Sequence, residues 1–217
     1  MPKDIVIVGA SGFGREVAML IEEINASNPS WNILGFVDDC HDSLDAKCLG
    51  YPVLGSIEDY FLAHKEVSAV IAVGDPRTRL LLWNKIKGEA ISFPALIHPG
   101  VRVHHSNRIG EGVVLCGGVS LTVNVSVGDQ VHVNLHCTIG HEAKLGDFTT
   151  LSPGVHISGN AVLERGVFLG TGAQVAPSVE VGEGAIVGAG ATVIKNITSN
   201  VVAVGSPAKA IKELSKM

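Results

Sequence analysis

The chain has 217 residues, enough for one large domain or two small ones. Its 26 glycines, 46% hydrophobic and only 17% charged residues suit a repetitive β architecture with tight corners better than a helix bundle. A net charge of −5 offers no basic stripe to nucleic acid. Cys40, Cys48, Cys116 and Cys137 contain no CxxC pair, and no signal-peptide core or membrane-length apolar run is present. The expectation is a cytoplasmic protein with reduced thiols and no membrane insertion.

Residues 1–95 alternate strand and helix signals. "DIVIVGA" reads as a buried strand and "GREVAMLIEEIN" as an amphipathic helix. "WNILGFVDD" and "SAVIAVGD" are further strands, and "PRTRLLLWNKI" is a helix with Pro76 in its first turn. This alternation predicts a small parallel α/β sheet. The turn "GASGFGRE" follows the first strand directly and opens a helix, so Gly9, Ser11, Gly12, Phe13 and Gly14 are candidate contacts for an anionic ligand. Its spacing is GxxGxG, not the dinucleotide GxGxxG. Asp38 and Asp39 end the second strand, where acidic residues often meet a ribose; capping of neighbouring elements is the equal alternative. About 95 residues leave room for little more than one mononucleotide-binding half.

The second half keeps a period of six. From Ile97, steps of six reach Val103, Ile109, Leu115, Leu121 and so on to Val193, and all 17 positions are Ile, Leu or Val. Four residues after each stands a small or aliphatic side chain, Asn107 and Thr149 being the polar exceptions. Such hexads mark a parallel β-helix, and an amphipathic α-helix does not fit the spacing.

The hexads and the closing "NVVAVGSPAKAIKEL" resemble the hexapeptide-repeat acyltransferases. By that resemblance the fold is an N-terminal Rossmann-like α/β domain (1–95) followed by an all-β left-handed parallel β-helix (96–217) with three hexads per coil. The tail is expected to end in a short helix. "NLHCTIGHE", residues 134–142, is similar to the amino-sugar acetyltransferases of the PglD and NeuD (sialic acid O-acetyltransferase) group, in which an asparagine precedes a His-Glu pair by seven residues. Exposed His-Glu neighbours are ordinarily a solvated surface pair; the resemblance makes this pair catalytic.

A sugar amine must lose a proton as it attacks a thioester, and a histidine is a suitable general base. His141 is assigned that role, with Glu142 fixing its tautomer if the corner bends the two together. Gly159 stacks one coil later, and its N–H is a candidate oxyanion donor. The resemblance adds Asn134 to the substrate contacts. It assigns acetyl-CoA, with no metal, to Thr150, Gly159, Thr171, Ala189, Pro207 and Lys209. Thr150 stands where relatives often carry a second histidine, which His156 is an alternative to replace. The N-terminal domain is expected to hold the nucleotide of a UDP- or GDP-linked amino sugar in bacterial glycan, capsule or O-antigen synthesis. Few charges over residues 109–193 and uninterrupted hexads suit flat apolar faces, and the resemblance implies a homotrimer with active sites between subunits.

Three other readings compete. O-acetylation of sialic acid would use the same histidine. A non-catalytic sugar-nucleotide sensor would need only the scaffold. A zinc hydratase resembling γ-carbonic anhydrase shares the H-x4-H spacing of His136 and His141, but its third histidine falls at Gly100, and His98, His104 and His105 miss that place.

Overall fold

In the computed structural model, which describes residues 1–88 and 90–216, the chain forms two compact units. One comprises Met1–Gly74 with Thr78–Leu96, the other Asp75–Arg77 with Ile97–Met217.

The first unit contains β1 (Lys3–Val8), α1 (Gly12–Ser27), β2 (Trp31–Val37), β3 (Lys47–Cys48), β4 (Tyr51–Pro52), α2 (Ile57–Ala63), β5 (Val67–Ile71), α3 (Pro76–Ile86) and β6 (Ile91–Ser92). A parallel sheet runs β2-β1-β5-β6, with β3 and β4 forming a separate hairpin. Ile5 to Val8 of the central β1 are fully buried, which is why that strand reads as an unbroken apolar run. The α2 helix and the edge strand β6 add to the elements expected from the sequence. The Ser56 Oγ starts α2 by accepting the Asp59 N–H at 3.1 Å.

The second unit is a parallel β-helix of two-residue strands. One sheet stacks Ser120–Leu121, Thr138–Ile139, His156–Ile157, Gln174–Val175 and Thr192–Val193. A second stacks Arg108–Ile109, Ser126–Val127, Lys144–Leu145, Val162–Leu163 and Glu180–Val181. The third includes Val114–Leu115, His132–Val133, Thr150–Leu151, Phe168–Leu169 and Ile186–Val187. Partners lie one coil apart, Thr138 opposite Ser120 and His156. First-place residues such as Leu115, Ile139 and Leu151 fill the core, and the small fifth-place residues Ala143, Ala161 and Ala173 let the corners close. The fourth place takes left-handed backbone at successive corners, in Asn124, Glu142 and Asn160 as well as in several glycines.

Three expectations are corrected. Val103 matches the hexad rhythm but lies outside any strand and is 40% exposed, because the regular coils begin at Arg108. Among its described residues the tail forms no helix. Val201–Val204 extends the third sheet, and Lys209–Glu213 returns antiparallel to it, so the tail covers the open edge of the last coil with a charged strand. The faces are also not uniformly apolar. The first sheet presents Ser120, Thr138, His156 and Gln174, the second Arg108, Lys144 and Glu180, and outward apolar residues concentrate on the third.

Candidate active site

His141 and Glu142 lie in the corner between Thr138–Ile139 and Lys144–Leu145. Neighbouring side chains on an extended strand point to opposite sides. Here Glu142 adopts a left-handed φ of 56°, and its Oε2 meets Nδ1 of His141. The other carboxylate oxygen, Oε1, accepts the Nδ2–H of Asn124 at 3.1 Å from the preceding coil. The hydrogen bond from Asn124, and after it the one from His141, hold the Glu142 carboxyl below its ordinary titration range.

With Nδ1 directed at a carboxylate, Nε2 is the nitrogen left to accept a proton. The imidazole lies over Gly159, where a Cβ would come within 2.5 Å of Cε1 and Nε2. Among the described residues, the Gly159 N–H has no hydrogen-bond partner, while its carbonyl accepts the Ser178 N–H at 3.0 Å. The His141 and Glu142 side chains are 58% and 44% exposed, so a ligand has access to the pair.

The remaining predicted residues are distributed more widely. Asn134 is buried on the third sheet, where its Nδ2 donates to the Leu151 carbonyl at 3.1 Å. Thr150 belongs to that sheet too and is only 2% exposed, so the chain presents almost none of it to a ligand. His156 is exposed on the first sheet and lies 2.8 Å from Thr138 Oγ1. Thr171 and Ala189 are exposed one coil apart, at the corner on the opposite side of that sheet from His141. Pro207 lies in the turn before the final strand, which Lys209 begins, exposed.

His136 and His141 occupy corners on opposite sides of Thr138–Ile139. Among the described residues, no group of three His, Cys, Asp or Glu side chains is arranged to hold a metal ion.

In the first unit, Gly14 lets α1 lie against the end of β1: a Cβ there would collide with the Gly9 carbonyl oxygen. Gly12 has no such constraint, its Cβ position being 4.0 Å from the nearest atom. Ser11 is the α1 N-cap but makes no side-chain cap, and the first turn carries no acidic residue, so the helix start is suited to an anion. Phe13 is half-buried beside it. Asp38 accepts the Ala10 N–H at 2.9 Å and the Cys40 N–H at 2.8 Å, and Asp39 accepts the Ile57 N–H at 3.0 Å. Both carboxylates therefore cap backbone groups. A hollow of about 310 Å³ beside this turn is lined by Ala10, Arg15, Lys47 and Cys48 among others.

Sequence reasoning missed three features: Asn124, the basic Arg15 and Lys47, and a groove of about 670 Å³ containing Arg102, His104, Thr122 and Val123. Asn124 had a signal, since 142 minus one 18-residue coil is 124. The groove had none, because the segment from His98 to Asn107 departs from the coil.

Comparison with known proteins agrees with this architecture. Residues 4–86 match the PglD N-terminal domain, and residues 160–195 match the bacterial transferase hexapeptide (six repeats). The crystal structure of PerB from Caulobacter crescentus, in complex with CoA and GDP-perosamine, is 31% identical, with 96% of this chain and 97% of that chain covered and a TM-score of 0.84. The acetyltransferase domain of PglB from Neisseria gonorrhoeae, in complex with acetyl coenzyme A, is 28% identical, covering 97% of this chain and 100% of that one at a TM-score of 0.85. A GDP-perosamine N-acetyltransferase of Escherichia coli is 28% identical over 169 residues, 76% of this chain and 75% of that protein. With both halves matched in order along almost its whole length, the chain belongs to the PglD/NeuD-like family of sugar acetyltransferases.

Proposed function

We propose that the protein transfers the acetyl group of acetyl-CoA to the amino group of a nucleotide-linked amino sugar, UDP- or GDP-linked, in bacterial glycan, capsule or O-antigen synthesis. The observation that carries this reading is the His141–Glu142 pair, with Nδ1 on the carboxylate and the imidazole over Gly159. The sugar nitrogen attacks the thioester carbonyl and forms the N–C bond, and Nε2 of His141 accepts the proton it sheds. The tetrahedral oxyanion is met by the Gly159 N–H. Collapse breaks the C–S bond, and the imidazolium returns its proton to the departing thiolate, giving amide and CoA.

Gly9, Ser11, Gly12, Phe13 and Gly14 serve the nucleotide phosphates, with Asp38 and Asp39 shaping the surrounding turns and Asn134 assigned to the acceptor side. Acetyl-CoA is assigned to Gly159, Thr171, Ala189, Pro207 and Lys209, with Thr150 in that set only through the resemblance. The working form is a cytoplasmic homotrimer whose neighbouring subunit completes the cofactor site. Exposed Thr171 and Ala189 beside the small polar face of the first sheet support close packing there. Among the described residues, no helix is long and apolar enough to cross a membrane.

The test is a panel of UDP- and GDP-linked amino sugars, with free sialic acid beside them, each given acetyl-CoA and followed by thiol release and product mass. Acetylation of at least one member at nitrogen is expected. Turnover confined to free sialic acid would replace this reading by O-acetylation, and turnover with no sugar would overturn both. Sedimentation should give three times the 22.6 kDa chain mass.

A further inference from the structure

We propose that Asn124 is a positioning residue of the acetyl-transfer site, holding Glu142 in the orientation that engages His141. This rests on the reading of His141 as base. The Asn124 Nδ2–H binds the Glu142 oxygen that His141 does not use, at 3.1 Å, so the carboxylate is clamped from both sides. An exposed glutamate otherwise samples several rotamers, and only some of them reach its neighbour.

The turn that carries Asn124 is itself built for this. The Asn124 N–H donates to Ser106 Oγ at 2.9 Å, and Ser106 Oγ lies 2.8 Å from His104 Nδ1. Asn107 replaces the small inward residue of its hexad and bridges the turn, accepting the Val125 N–H at 2.9 Å and donating to the Thr122 carbonyl at 2.9 Å. From the next coil, the Glu142 N–H binds the Val123 carbonyl at 3.1 Å. Both backbone ends of the turn are therefore held, and the side chain of Asn124 meets Glu142 from a fixed base. Its φ of 57° is a conformation that glycine, asparagine and aspartate tolerate well. That separates backbone from side chain: Asn124→Gly removes the donor, and Asn124→Asp keeps the shape while replacing the donor by a second carboxylate.

With acetyl-CoA and GDP-perosamine, Asn124→Gly should lower kcat roughly tenfold, the worth of one hydrogen bond to a charged group. The acetyl-CoA KM should stay unchanged, and Asn124→Asp should lose at least as much as Asn124→Gly. In a Glu142→Gln background, Asn124→Gly should cost nothing further, because the carboxylate it serves is gone. A measurement free of substrate runs beside these. Carboxyl-carbon NMR, with the Glu142 signal assigned by its loss in Glu142→Gln, should show that group titrating higher in Asn124→Gly than in the wild-type chain. An Asn124→Asp variant with wild-type kcat, an additive loss in the Glu142→Gln background, or an unmoved Glu142 titration would overturn the positioning role. If Glu142→Gln is impaired and Asn124→Gly is not, this inference alone fails. If His141→Ala and Glu142→Gln both turn over normally, the reading of the pair as a base fails, and this inference with it.

Discussion

The His141 imidazole occupies the space above Gly159 that any side chain at residue 159 would fill, with Cε1 and Nε2 each 2.5 Å from the position of a Cβ. Two residues one coil apart thus share one volume. Gly159→Ala should displace the imidazole and leave the coil intact, since a side-chain end yields more easily than the backbone ladder. A loss of about a hundredfold in kcat is expected for such a misplacement, with an unfolding temperature within a few degrees of wild type. An unchanged kcat would mean that the reactive position of His141 is elsewhere.

His141→Ala and His141→Asn should lower kcat by roughly 10²–10⁴, the usual contribution of a general base, with acetyl-CoA binding nearly intact. Glu142→Ala should cost less, because it orients the base and does not take the proton. Steady-state kinetics together with calorimetric titration of acetyl-CoA separate the two quantities. Near-normal turnover in both His141 variants would sink the assignment.

The glycine turn separates a packing role from a binding role. A Cβ at Gly14 meets the Gly9 carbonyl, whereas one at Gly12 meets open space. Gly14→Ala should therefore destabilise the protein by about 1–3 kcal/mol, the range for overpacking, and lower the unfolding temperature by several degrees. Gly12→Ala should leave that temperature unchanged or slightly higher, since alanine is the better helix former. A bulkier residue at Gly12 should raise KM for the sugar nucleotide and not for acetyl-CoA. Equal effects on both substrates would make the loop purely structural.

The thiols should fall into distinct reactivity classes. Cys40 is exposed and Cys48 half-buried, whereas Cys116 and Cys137 are buried. Burial pushes the Cys137 thiol up to about 11, and its Sγ lies 3.2 Å from the Ser152 carbonyl. The thiolate is the reactive form, so at pH 8 only about one Cys137 in a thousand is poised to react. A disulfide reagent should label Cys40 first and Cys48 more slowly, and Cys116 and Cys137 only after denaturation. Rapid labelling of Cys137 in the folded protein would contradict this packing.

Within the coils, the solenoid was legible because each first-place residue faces the core, so a single period of six records the burial directly. Ile139, Leu145 and Leu151 had no other position to occupy. Val103 shows the limit of that logic: it keeps the period, but its segment forms no strand of the coil and its side chain stays 40% exposed. The tail departs from what the resemblance implied for a related reason. The edge of Val201–Val204 offers backbone groups to a partner, and Lys209–Glu213 pairs with them as an antiparallel strand in place of the expected helix.

At the candidate site, the adjacency of His141 and Glu142 and the stacking of Gly159 one coil away were legible from the chain. Both follow from chain order and a fixed repeat. That the two side chains meet was settled by folding, because it depends on the left-handed backbone of Glu142. Folding also brings Asn124 to the far oxygen, and buries Asn134 and Thr150 at the third sheet, away from the corner that carries the pair. Periodicity specifies which coil and which place a residue takes. The direction of a polar side chain at a corner is set by a dihedral angle and by partners from the coils above and below, which no single hexad encodes.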